Sequence, residues 1–107
     1  PPLAEILGLD DATFRARFRG TPIKRTGRDR FVRNALIAAG NANDASLVRY
    51  VEALIDDASP VVRAMAVWAI QRLDPDLSAA LRPARLRGET DPQVRTEWLA
   101  RARVSAP

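Results

Sequence analysis

The chain has 107 residues, with 17 Lys and Arg against 13 Asp and Glu for a formal charge of +4, and it contains neither Cys nor His. A chain of that length forms one domain able to bury roughly 65% of its unfolded surface. The missing residue types exclude thiolate nucleophiles, disulfides, cluster ligation, Cys/His metal sites and histidine general bases. Ala, Leu and Arg dominate while aromatics are sparse, which favours helix over sheet. No apolar run reaches the roughly 18 residues of a membrane span and no signal-peptide pattern opens the chain, so the expectation is a soluble, cytoplasmic protein with no membrane partner. The start at "PPLAEIL" without Met, and the end at "RVSAP", lead us to expect a piece of a longer protein.

The first elements expected are a short helix to Leu7, a break at Gly8, and a second helix. That second helix is capped by Asp10 or Asp11 and stopped by Gly20, with Phe14 and Phe18 on one face. A loop shaped by Thr21, Pro22 and Gly27 follows. From Arg30 the apolar positions Phe31, Val32, Ala35, Leu36, Ala38 and Ala39 fall at helical spacing, and the helix is expected to end at Gly40 in the polar turn "GNAND". Leu47, Val48, Val51, Leu54 and Ile55 repeat the spacing after Asp44. Ser59 and Pro60 mark the next start, for a helix carrying Val61, Val62, Met65, Ala66, Ala69 and Leu73. "DPDLSAALRP" begins another helix that Pro83 is expected to stop or kink, and "DPQVRTEWLARA" closes the series with Val94, Trp98 and Ala102.

Charge is concentrated. Between Arg15 and Arg33, "RARFRGTPIKRTGRDRFVR" holds eight basic residues against one acid, whereas the remainder has nine basic and twelve acidic residues. Such a run of like charge requires a structural partner or an anionic ligand. Phosphates are suited to it, because Lys and Arg neutralise them with counterion release and Arg binds them bidentately.

"FVRNALIAA" at 31–39, "VVRAMAVWA" at 61–69 and "QVRTEWLAR" at 93–101 each carry Val-Arg followed by apolar residues on successive turns. The copies are offset by 30 and 32 residues with a second helix between them, the signature of a helix-hairpin solenoid. These copies resemble HEAT-like (PBS-lyase-type) repeats, whose first helix opens with Asp or Ser, a Pro, then Val-Arg. "DDASPVVRAMAVWAI" matches closely and "ETDPQVRTEWLA" well, while the first copy has "GRDRF" in place of the Asp-x-x-Pro. The expected fold is all-α: an N-terminal helical pair and basic loop over 1–28, then HEAT-like hairpins over 29–107 as a short right-handed α-α superhelix, together one domain.

Over the whole chain, "LGLDDATFRARFRGTPIKRTGRDRFVRNALIAAGNAND" and "VEALIDDASPVVRAMAVWAIQRLDP" resemble the C-terminal region of bacterial epoxyqueuosine reductases, tRNA-modifying enzymes of queuosine biosynthesis. The resemblance implies a helical-repeat tail that helps bind the tRNA anticodon stem-loop. Reduction would be carried out by other domains of the same polypeptide, which hold cobalamin and two 4Fe-4S clusters. No cofactor is implied in this chain, and the chain alone is not an enzyme. Lys24, Arg25, Arg28, Arg30 and Arg33 are the RNA-contact candidates, with Arg15, Arg17 and Arg19 as outer contacts.

Arg63 and Arg95 hold equivalent repeat positions, with Asp57 and Glu89 six residues before them, and are expected to be structural; Gly27 holds that place before Arg33. Trp68 and Trp98 could stack on unpaired bases, but their apolar helical setting favours packing. Asn41 and Asn43 suit the turn. Asp10 with Asp11, and Asp56 with Asp57, sit where carboxylates cap helices rather than catalyse. The alternative function is a protein-interaction module that docks on a catalytic domain without touching RNA.

Overall fold

The computed structural model describes residues 3–8 and 25–104, and side chains at 3–8 and 27–100. Among the described residues the elements are α1 (Leu3–Leu7), α2 (Arg25–Ala42), a 3-10 turn (Ala45–Leu47), α3 (Val48–Leu54), α4 (Pro60–Leu73), α5 (Pro75–Gly88) and α6 (Pro92–Val104). The helix expected from Asp10 or Asp11 to Gly20 lies outside them. No described helix is long and apolar enough to cross a membrane.

The helix starts follow from local chemistry. Asp44 accepts from the Ser46 N–H at 2.9 Å, Asp74 from the Leu77 N–H at 3.1 Å, and Asp91 from the Gln93 and Val94 N–H groups at 3.0 Å each. Each carboxylate satisfies donors that a first turn leaves open. Ser59 caps α4 with a longer 3.5 Å bond from the Val62 N–H. Pro60, Pro75 and Pro92 open their helices, where a missing N–H costs nothing.

Three boundaries differ from the sequence expectation. α2 begins at Arg25 rather than Arg30, so the end of the basic run is helical. It also continues through Gly40 to Ala42 and stops at Asn43, whose φ of 53° is the left-handed conformation that Asn tolerates at a helix end. α5 runs through Pro83 to Gly88. Pro83 is exposed, so the carbonyl left without its donor can turn to water.

α4 is the central helix, packed against α2 and α6 on its two sides and against α3 and α5 as well; α1 rests on α2 and α3. The repeat phase is visible in the core. Val32, Val62 and Val94 are fully buried, as are Leu36 and Ala66 one turn later, with Trp98 in the matching place on α6. The sizes compensate: where α2 and α4 offer Leu and Ala, α6 supplies the indole that closes the stack.

At Gly40 the backbone of α2 lies close against α4. A Cβ there would lie 3.0 and 3.1 Å from Cη2 and Cε3 of Trp68, and nearer still to Cζ3, so only Gly admits the ring. Arg72 reinforces the contact, its Nε donating to the Gly40 carbonyl at 3.1 Å and its guanidinium carbon standing 5.2 Å from the Trp68 ring centroid. On an exposed helix Gly→Ala gains about 0.5–1 kcal/mol. Here Gly40→Ala is expected to destabilise by about 1–3 kcal/mol through overpacking, measured by urea unfolding.

Candidate nucleic-acid interface

The basic run separates into distinct environments. Arg15, Arg17, Arg19 and Lys24 lie outside the described residues, and Arg25 opens α2. Arg28, expected to meet phosphate, is instead turned inward with 7% side-chain exposure. Its Nη2 donates to Asp57 Oδ1 at 2.9 Å and its Nη1 to Asp57 Oδ2 at 3.0 Å, with a further 3.3 Å bond from Nη1 to Asp29. Burial works to lower its pKa, but the bonds and charges of Asp57 and then Asp29 outweigh this and leave it raised. Both terminal nitrogens are committed, which removes Arg28 from the surface set.

The same device recurs one repeat later. Arg63 donates through Nε and Nη2 to the two Glu89 oxygens, each at 2.9 Å, while its Nη1 reaches the carbonyls of Asp57 at 3.0 Å and Ala58 at 3.1 Å. Arg95 Nη1 reaches the carbonyls of Leu86 and Glu89 at 2.6 and 3.0 Å. Asp57 and Glu89 are therefore equivalent joints. Each carboxylate accepts an arginine from the preceding repeat and the backbone N–H two residues on, from Ser59 and Asp91 respectively. Each joint's own carbonyl then receives the arginine six residues later. The bonds from Arg63 are the largest cause holding Glu89 below the usual carboxylate range. Sequence spacing left Arg33 without the acid six residues before it, and Arg28 fills the structural role in the first repeat. Its partner stands 29 residues away, whereas Arg63 and Glu89 are 26 apart, so no fixed period reveals it.

Arg30 and Arg33 are exposed on the open side of α2. Arg33 lines a groove of about 530 Å³ that crosses three helices, with Val61, Ala64, Met65 and Trp68 from α4 and Gln93 and Glu97 from α6. A smaller hollow formed by Asp29, Arg30, Arg33 and Val61 adjoins it. Trp98 is buried core at 1% exposure, whereas Trp68 is only half-buried. Val61 is 47% exposed. Burial raises the pKa of the Glu97 carboxyl, and no described cation pairs with it. Asn41 is exposed in the last turn of α2 rather than in a turn after Gly40, Asn43 is exposed just beyond the helix, Asp56 pairs with Arg85 at 3.0 Å, and Asp57 is occupied as above.

Comparison with protein-family models finds no match. Among curated proteins, an epoxyqueuosine reductase of Bacillus subtilis (strain 168) is 31% identical over 99 residues, covering 91% of this chain and 25% of that protein. An epoxyqueuosine reductase of Xanthomonas campestris pv. campestris is 33% identical over 69 residues, covering 64% of this chain and 19% of its own length. A crystal structure of epoxyqueuosine reductase with an epoxyqueuosine-modified tRNA-Tyr stem loop matches 92% of this chain and 26% of that one, with a TM-score of 0.78 at 29% identity. This chain is related to the epoxyqueuosine reductases. It spans about a fifth to a quarter of the length of the curated relatives it matches.

The resemblance to epoxyqueuosine reductases implied cobalamin and iron-sulfur clusters in the longer proteins. Iron-sulfur clusters are held by Cys thiolates, and this chain has none, so its residues do not fit such a cluster. Among the described residues there is also no group of three or more His, Cys, Asp or Glu that could hold a metal.

The contrast between buried and exposed arginines is measurable. Arg28→Ala takes the two-pronged guanidinium from the Asp57 carboxylate in a nearly buried joint and is expected to cost about 3 kcal/mol of stability. Arg30→Ala, two residues on, is expected to change it by less than about 0.5 kcal/mol. Urea unfolding of both variants checks the difference, and equal effects would contradict these environments.

Proposed function

We propose that this chain is the C-terminal helical-repeat portion of an epoxyqueuosine reductase and helps hold the anticodon arm of tRNA, the reduction itself being performed by domains outside this chain. One observation carries the reading: the chain's fold and sequence match part of an enzyme solved with a tRNA stem loop, and two arginines of the basic run, Arg30 and Arg33, are exposed on α2. Arg30 and Arg33 present guanidinium groups from that helix, and Lys24 and Arg25 adjoin them in sequence. Arg15, Arg17 and Arg19 extend the same charge along the chain as outer contacts.

The chemistry needed is modest. A repeat tail supplies positioning and electrostatic attraction for a polyanion, which helical hairpins can do without any catalytic group. Arg63 and Arg95 hold the repeats, and Arg28 joins them in that role. Among the described residues the surface set is thereby reduced to Arg30 and Arg33, both exposed.

Binding to a queuosine-type anticodon stem-loop should weaken steeply with salt. Contact with about four phosphates gives a log-log slope near −3. Replacing Lys24, Arg25, Arg30 and Arg33 together by Ala should flatten the slope and abolish measurable binding while leaving the circular dichroism unchanged. A wild-type chain indifferent to the stem-loop at low salt would contradict the reading and favour a surface that docks on protein.

A further inference from the structure

We propose that the groove between α2, α4 and α6 is a subsite for one unpaired nucleotide, whose base stacks on Trp68 and presents an N–H edge to Glu97 while its phosphate lies at Arg33. The inference rests on the RNA-binding reading above and adds to it a site that reads a base rather than the backbone.

The groove combines two kinds of wall. Val61, Ala64, Met65 and the Trp68 ring make an apolar strip on α4, and Arg33, Gln93 and Glu97 bring polar groups to it from the flanking helices. A nucleoside has the matching form: flat apolar faces that stack on aromatic rings, and one edge of hydrogen-bonding groups. The groove's volume of about 530 Å³ lies within the usual range for small-molecule sites.

Trp68 is also preorganised. Gly40 lies against the ring edge, and Arg72 bonds the Gly40 carbonyl while standing over the indole. Neither Gly40 nor Arg72 lines the groove. The ring is thus held from outside the groove, which it lines as a half-buried residue.

Glu97 is the group that packing does not explain. A half-buried carboxylate with no described cation beside it is costly, and its pKa rises because burial disfavours the charge. A carboxylate only accepts hydrogen bonds, so the ligand edge it suits carries N–H donors, such as the amino group of cytosine or adenine or the donor edge of guanine. Arg33 borders both this groove and the hollow that includes Arg30. A base seated here therefore has its phosphate beside the proposed backbone grip.

The test compares two RNAs, an anticodon stem-loop and a blunt duplex of the same stem without the loop, against the wild-type chain, Trp68→Leu and Glu97→Leu. Glu97→Leu removes a charge that pairs with no described cation and is expected to fold normally, which keeps the test sound if Trp68→Leu loosens the Gly40 contact. Each variant should bind the looped RNA about tenfold more weakly and the duplex within twofold of wild type. Wild-type binding of both RNAs that neither variant alters, or that both variants weaken equally for loop and duplex, overturns the subsite and leaves the backbone grip standing. Failure of the wild-type chain to bind either RNA overturns the RNA-binding reading and the subsite with it.

Discussion

The arrangement of this small domain depends on a repeated joint in which an acidic residue in the turn before a helix ties two repeats together. Asp57 accepts Arg28 from α2 and Glu89 accepts Arg63 from α4, while the carbonyls of the same two residues receive Arg63 and Arg95. Removing one partner of such a pair leaves an uncompensated charge in a poorly solvated place, so the joint resists slippage even though the intact pair adds little net energy. Its main effect is on register. The three equivalent valines are all fully buried while the joints tie α2 to the turn before α4 and α4 to the turn before α6.

That register decides which cations are displayed. At about 100° per residue, Arg30 and Arg33 lie roughly 160° and 140° around α2 from Arg28. Turning Arg28 toward Asp57 therefore turns the other two away from the core. The dense charge of "RDRFVR", residues 28–33, is divided by helix geometry into one structural cation and two that face outward. Sequence proximity suggested a uniform patch, and the helix shows it to be two surfaces.

Much of the fold was legible because its signals are local. Ser59-Pro60, Asp74-Pro75 and Asp91-Pro92 start helices through contacts within four residues, and the Val-Arg repeats mark buried faces at helical spacing. The departures came where a distant partner decides. Gly40 looks like a helix stop until the Trp68 ring is brought against it, and it is then a packing residue inside α2. Pro83 looks like a breaker, but an exposed position with solvated neighbours lets α5 continue. The same limit applied to the site: nothing local distinguishes Arg28 from Arg30, and nothing local tells half-exposed Trp68 from buried Trp98, since both sit in apolar helical patterns. Glu97 carried no signal in sequence, because its interest lies in its burial among α4 and α6 with no described cation beside it.

The chain is related to about a quarter of the length of the epoxyqueuosine reductases it matches, and it contributes repeats and charge without any Cys or His. On the proposed reading, the domain contributes a shaped cationic surface, and α2, α4 and α6 form its working side while α3 and α5 support it from behind. The most direct test is to map amide and indole chemical shifts of the chain as an anticodon stem-loop is added. The account predicts shifts concentrated at Arg30, Arg33, Val61, Glu97 and the Trp68 indole N–H, with α3 and α5 quiet. Shifts centred on α3 and α5, or none at saturating RNA, would contradict it.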